Sequence, residues 1–535
     1  SSELRLVGNS QLIQTHTTNS KITGTGSLYI DQNSSIASTY RYNYMSSPVT
    51  SAGNTFVLKD VLKDGTIPTS ATSSVKNINF ISGYNGNASD PIAIADYWIY
   101  TYASSDGTRS NWAQKGSTNA ISATDGYTIK GPGIAQNYTF SGVPNDGNLI
   151  TAIGVNESYL VGNPFPSAIS AKKFIEDNSN SIDGTLYFWQ HAGEEDITAS
   201  NSAGHNYAGY IGGYGTRNAS MGISADNVTS NNNSNDNIPS IGNGIYQAPG
   251  NYIPVGQGFF ISGNDSGGPV VFNNSQREYK TEGVESIFFK NNSKNQNQSK
   301  STVDNNSNIL PIIKLGLDYK DLEGRELHRQ IGISFNKNNS FDYNLGYDSK
   351  IYEINTTDFY WKFNTDDNKY SITGVQEITP ELEIPLEIVV ANDGEIDISI
   401  DEWQNVDRNV FIKDNVNDTI YNLNNKVTLS LEQNTYSDRF VISFDEKEDE
   451  EDNTKKPFKL YFNNKNKKII IVKNEPIKIN KVVLFKINGV KVQKWKIKKQ
   501  KKKIKLKVKN NTKSGLYIVK IKTNKGIFKR KILIE

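Results

Sequence analysis

The residues nearest to a catalytic constellation are Asn264-Asp265-Ser266-Gly267-Gly268-Pro269-Val270. A serine set among glycines is the arrangement of a hydrolase nucleophile, whose neighbouring backbone N–H groups stabilise an oxyanion. Such a serine also needs a histidine base held by a carboxylate. The four histidines, His16, His191, His205 and His328, have no sequence context that marks a base, and Asn264 stands where the nucleophile pattern Gly-Asp-Ser-Gly-Gly-Pro has its first glycine. The segment therefore reads as a glycine-rich hairpin turn between strands at 258–262 and 270–272, and the chain reads as a non-enzyme.

Two groups of residues have the types that bind metals. His191, Glu194, Glu195, Asp196 and His205 suit zinc or manganese by type, but their spacing fits no ligand set and the residues between them read as open loop. Asp177, Ser179, Ser181 and Asp183 alternate oxygens ahead of Gly184, loosely like a calcium loop, without the bidentate glutamate that closes one at the twelfth position. They are a weak calcium candidate, and no other metal or cofactor is expected. Tyr187, Phe188 and Trp189, with Tyr97, Trp98 and Tyr100, could stack on sugars. Consecutive strand residues face opposite ways, so each set is split between two surfaces and core packing is the expected role. Asn163-Pro164-Phe165-Pro166 reads as a rigid turn with φ fixed twice.

The elements that must position these residues are strands. The chain has 535 residues, no cysteine, 36% hydrophobic and 10% aromatic residues, so disulfides, thiolate zinc sites and cysteine nucleophiles are excluded. Apolar and polar residues alternate at 331–335, 396–400 and 427–431, the period of half-buried strands. Helical periodicity is scarce; one short helix is expected over 167–178, with Ala168, Ala171, Phe174 and Ile175 on its buried face. No run approaches the roughly 18 apolar residues of a spanning helix. Residues 1–7 carry neither a signal peptide nor an initiator methionine, which suggests a mature form or a fragment. The fold class is all-β and multi-domain, built of β-sandwich or jelly-roll-like modules.

Charge divides the chain. Residues 457–535 hold 26 Lys and Arg against two acids, a net +24, which leaves the first 456 residues at −22 inside an overall +2. Polar tracts at 290–308 and 445–456 read as linkers. The expected organisation is an Asn/Gly-rich β domain over 1–289, a β-sandwich over 309–444 and a separate basic module over 457–535. A third polar tract, 224–237, reads as a long surface loop. In the basic module, strands are expected at 458–462, 468–473, 481–487, 490–497, 504–508, 516–522 and 527–533, with Ile, Leu or Val alternating with Lys. Asn488-Gly489 is a strong hairpin signal.

Asn488 and Gly489, then Gly515, Tyr517 and Lys520 in Gly-x-Tyr-x-x-Lys, then Lys529-Arg530-Lys531 close to the terminus, resemble the type A C-terminal sorting domain of the Bacteroidetes type IX secretion system. The resemblance implies a seven-stranded, Ig-like β-sandwich recognised by an outer-membrane translocon and removed by a sortase as the cargo is attached to surface lipopolysaccharide. The lysine density exceeds that family's norm. Residues 40–48, 160–168, 184–189, 256–261 and 346–349 resemble the C-terminal portions of large flavobacterial surface proteins that carry such a tail. In that setting Asp418-Thr419-Ile420 matches the Asp-Ser/Thr-aliphatic acceptor sequence, making Thr419 a candidate O-glycosylation site.

The reading that follows is a secreted, outer-membrane-associated surface protein with a structural or adhesive role. Its expected partners are the translocon and sortase, with surface lipopolysaccharide or glycans and self-association as further candidates and nucleic acid excluded. The alternative is the C-terminal part of a carbohydrate-binding or hydrolytic surface protein whose catalytic module lies upstream.

Overall fold

The computed structural model describes residues 2–534 except 35–38, 41, 52, 66–74, 105–110, 195–209, 226, 229–247, 284, 287–309, 323, 325, 446–457, 464–465, 487–490 and 510–511. The chain is nearly all β and divides into two compact units, Ser1–Glu446 and Lys447–Glu535. Both expected linkers, 290–308 and 445–456, lie outside the described residues apart from Asp445, whose carboxylate accepts from the Asn409 backbone N–H at 2.9 Å.

In the first unit the alternating segments are strands. Val427–Leu431 buries every second residue, and Ile396 and Ile398 point inward from Gly394–Gln404. Both lie in a twelve-stranded sheet that curls around one core containing Leu315, Ile331, Trp361, Leu386 and Phe440. Residues 331–335 depart from the half-buried expectation: all five are buried. The second face of that strand is covered by Met221 and Ile223, which cluster with Ile312 and Ile372. A two-faced burial of this kind needs no alternation.

Segments 1–289 and 309–444 pack as one unit. Strand Asn227–Val228 pairs antiparallel with His328 and Leu327, so the start of the 224–237 tract is no surface loop; Ser224 and Ala225 are buried. Tyr352 lies 4.5 Å from Tyr214 and 4.7 Å from Tyr187, ring centre to ring centre. Gly184, at φ +85°, lies so close to Gly346 that a Cβ on it would come within 2.7 Å of the Gly346 nitrogen. A side chain at 184 would force this junction apart.

The helix is shorter than its periodicity suggests. Ala171–Asp177 is helical, and Ser170 caps it by accepting from the Lys173 N–H. Ala168 belongs instead to a strand that pairs with 252–253 and 277–278. Ala171, Phe174 and Ile175 are buried as the helical period requires.

The second unit is a sandwich of seven strands in two sheets. Phe458–Asn463, Lys468–Lys473 and Lys503–Lys507 form one sheet; Lys491–Lys496, Ile479–Lys486, Gly515–Thr523 and Gly526–Ile534 form the other, in that order. Ile469, Ile471, Val482, Leu484, Val519 and Ile521 fill the space between them. Lys503–Lys507 alternates exposed lysine with buried Ile504 and Leu506.

Candidate functional site

The residues that carry the sorting-domain resemblance lie mainly on the last two strands of the second unit. Tyr517 is 4% exposed and packs in the core beside Val519. Its hydroxyl donates to the Lys513 carbonyl at 2.7 Å, so a buried phenol keeps a partner. Gly515 has φ +146°, and nothing lies within 4 Å of where its Cβ would be. The reason for glycine there is backbone conformation and not the close approach that its place before the strand suggests. Lys520 pairs in register with Lys529, and Val519 with Arg530. Asn488 and Gly489 lie outside the described residues, as do the side chains of Lys529 and Lys531.

Around this motif, lysines line both outer faces of the sandwich. On the four-stranded sheet, Lys481 sits directly opposite Lys496 on one neighbour and Lys522 on the other. Lys494 and Lys520 flank Val483, and Lys491 sits opposite Phe485. Lysines directly opposite one another repel. Lys481 is held below the usual lysine range, by the Lys494 ammonium diagonal to it first and then by burial, with Lys491 and the opposite Lys522 adding to it. On the three-stranded sheet, Lys503 and Lys459 flank Val472, Lys505 and Tyr461 flank Ile470, and Lys507 lies opposite Lys468. Glu475, the one acid among the described residues of this unit, is already paired with Lys525 at 3.0 Å.

The other candidates disperse. Ser266 is exposed on a turn in which the Asn264 side-chain oxygen accepts from the Ser266 and Gly267 N–H groups. That turn is not a hairpin: Gly258–Gly263 pairs with 158–162 and 182–187, while Gly268–Phe272 pairs with 149–153, so the segment passes between sheets. His16 bonds Asp146 at 3.0 Å, and His328 lies between Asp318 at 2.7 Å and Asp401 at 2.9 Å. The side chains of His191 and Glu194, and all of Glu195, Asp196 and His205, lie outside the described residues.

The calcium candidate is not gathered into a ligand set. Asp177 is paired with Lys173 and accepts from Asn273 and Gln276; burial works to raise its pKa, but these donors prevail and hold it below the usual range. Ser179 and Ser181 donate to the carbonyls of Glu176 and Pro269. Asp183 is buried and accepts from the Thr185 N–H, and burial pushes its pKa up to about 7. Among the described residues no three His, Asp or Glu side chains converge to hold a metal. Thr419 begins a strand after Asp418, which sits at φ +48°, and donates its hydroxyl to the Asn417 carbonyl.

The 187–189 set splits as alternation requires, but the other does not: Tyr97 and Trp98 lie on a 3-10 turn, Asp96–Trp98, ahead of the strand, and Tyr97 meets Trp98 at 4.7 Å and Tyr100 at 6.1 Å between ring centres. Tyr187 packs with Tyr44, Tyr102 and Phe260, while Phe188 points to the opposite core beside Phe259. Trp98 is buried under the Lys130 ammonium, which lies 3.9 Å from its ring centre. Tyr97 and Tyr84 are exposed and meet edge to face at 4.9 Å. Tyr84, far from the other aromatics in sequence pattern, was not legible as part of this group.

Two organising residues also escape sequence reading. Asn163, fully buried, donates to the carbonyls of Ser167, Ile253 and Pro254 and accepts from the Phe165 N–H. Its turn is thus a hub tying 163–168 to 253–254. Arg277 donates to Ser167, Gln14, Asn274 and the Leu12 carbonyl, clipping the amino-terminal segment down, and burial lowers its pKa to about 10.

Comparison with known proteins bears mainly on the body. The family described as "Domain of unknown function (DUF8693)" matches residues 1–444. No curated protein matches the chain. A solved structure described as "Biofilm associated protein - BSP domain" aligns over 100% of this chain and 98% of its own, at 8% identity and a TM-score of 0.12, too low a likeness to carry an argument.

Proposed function

The chain belongs to the DUF8693 family over residues 1–444, and on that premise we propose that it is a non-enzymatic cell-surface protein with a structural or adhesive role, exported through type IX secretion by its carboxy-terminal unit. The observation that supports this most is a coincidence of boundaries. The family match stops at 444, the compact units divide at 446/447, and the net charge changes sign at the same place. The body that the family model covers is followed by a separately packed basic sandwich carrying Gly515, Tyr517 and Lys520. In this reading the body does the work outside the cell, and the tail supplies the address through the translocon and sortase. The test appends residues 445–535 to a periplasmic reporter in a bacterium with type IX secretion. Export of the reporter supports the reading, and periplasmic retention contradicts it.

A second reading, a glycan-binding surface protein, draws on the exposed Tyr84 and Tyr97 pair backed by Trp98. Exposed aromatic faces are suited to stacking on sugar rings. Glycan-array binding lost in Tyr84→Ala and Tyr97→Ala would favour it.

A further inference from the structure

The carboxy-terminal sandwich presents lysines on both of its outer faces, and we propose that it is a two-faced cross-linker of linear acidic polysaccharides. The inference rests on the sandwich's surface alone and concerns the chain while it retains residues 457–535. Each outer face sets lysines beside the apolar residues of its central strand. On one, Val483, 6% exposed, stands between Lys494 and Lys520; on the other, Val472 stands between Lys459 and Lys503, and Ile470, 6% exposed, between Lys505 and Tyr461. Lysine stems covering apolar strands would by themselves account for one or two such residues. They do not account for lysine opposite lysine at 481 and 496, 481 and 522, and 468 and 507, an arrangement that costs stability until a counter-charge arrives.

The surface also narrows the partner. Arg530 is the one arginine among 26 basic residues, so recognition is by charge density and not by the bidentate geometry that arginine offers phosphate. Tyr461 is the one large hydrophobic side chain exposed among the described residues of this unit. A nucleic-acid strand would want a series of stacking rings, and a bilayer would want exposed apolar anchors. Transverse rows such as Lys496, Lys481 and Lys522, at a strand spacing of about 4.8 Å, instead suit a linear chain with a carboxylate or sulfate on each sugar. Two opposed faces let one sandwich hold two such chains.

The test uses the full-length protein and polygalacturonate, a linear polymer with one carboxylate per sugar, at low salt. Binding is followed on immobilised polymer and cross-linking by light scattering. One variant neutralises the first face with Lys481→Gln, Lys494→Gln, Lys496→Gln and Lys522→Gln. A second neutralises the other with Lys459→Gln, Lys503→Gln, Lys505→Gln and Lys507→Gln, and a third combines them. The expected result is that wild type binds and scatters, each single-face variant binds without scattering, and the combined variant loses about tenfold or more in affinity. Wild-type binding should also collapse by about 0.5 M salt, a measurement that needs no variant to fold. Undiminished binding by the combined variant, scattering by single-face variants equal to wild type, scattering without polymer, or tighter binding to duplex DNA or to phosphatidylglycerol vesicles would each overturn the proposal.

Discussion

The Tyr517 hydroxyl donates to the Lys513 carbonyl from inside the core of the carboxy-terminal sandwich. The tyrosine therefore serves the fold of the tail and presents little of itself to a partner. Tyr517→Ala should destabilise that unit by about 3–5 kcal/mol, the cost of truncating a large buried ring, and Tyr517→Phe by about 1 kcal/mol, the net value of one hydrogen bond. Calorimetry of the full chain should show the loss in the tail transition alone. An unchanged tail transition in Tyr517→Ala would place the ring outside the core.

Gly515 should behave differently, because no atom crowds it and its φ of +146° is the constraint. Gly515→Ala and Gly515→Val should both destabilise the tail by about 1–3 kcal/mol through backbone strain. A valine much worse than the alanine would mean that space, and not conformation, selects glycine there.

Two groups of the body, Asp183 and His328, should each contribute stability that is lost as pH rises, in separate windows. Asp183 titrates near 3.8 when unfolded and at about 7 when buried, so its contribution is complete below pH 4 and lost as pH rises through 7. For His328 burial works downward, but the Asp318 and Asp401 carboxylates prevail and raise it from 6.5 to about 10. Its contribution is complete below 6.5 and lost as pH rises through 10, about 2 kcal/mol after allowing for solvent screening. Melting temperatures across pH should show Asp183→Asn flattening the lower window and His328→Gln the upper. Profiles parallel to wild type would refute the assignment.

Asn163→Ala should cost the body about 3–5 kcal/mol, since three buried carbonyls lose their donor at once. Denaturant unfolding measures it, and a loss under 1 kcal/mol would mean that the turn is held by its prolines. Ser266→Ala, by contrast, should leave stability unchanged, and a serine-directed fluorophosphonate should label neither protein. Stoichiometric labelling of wild type that vanishes in the variant would establish a nucleophile.

The legible parts of the molecule are those whose partners are near in sequence or whose burial has a simple period. Ile504 and Leu506 between lysines announced a strand with one face inward, and the tail's seven strands follow from seven such runs. Residues 331–335 also announced a strand, but its second covering layer, Met221 and Ile223, comes from about a hundred residues away and leaves no local mark. The partner of Gly268–Phe272 is likewise remote, at 149–153, so proximity to 258–263 suggested a hairpin that does not form. Asn163 and Arg277 look like any polar residues until the backbone groups they satisfy are brought together. The lysine faces were visible as alternation, whereas lysine standing opposite lysine required the register.

The central claim, a body exported by a separately packed tail, is tested most directly by deleting residues 457–535 and measuring where the remaining chain accumulates in a type IX secretion-competent host. The account predicts a folded body held in the periplasm, with its thermal transition intact. A truncated body recovered at the cell surface or in the medium at the normal yield would contradict it.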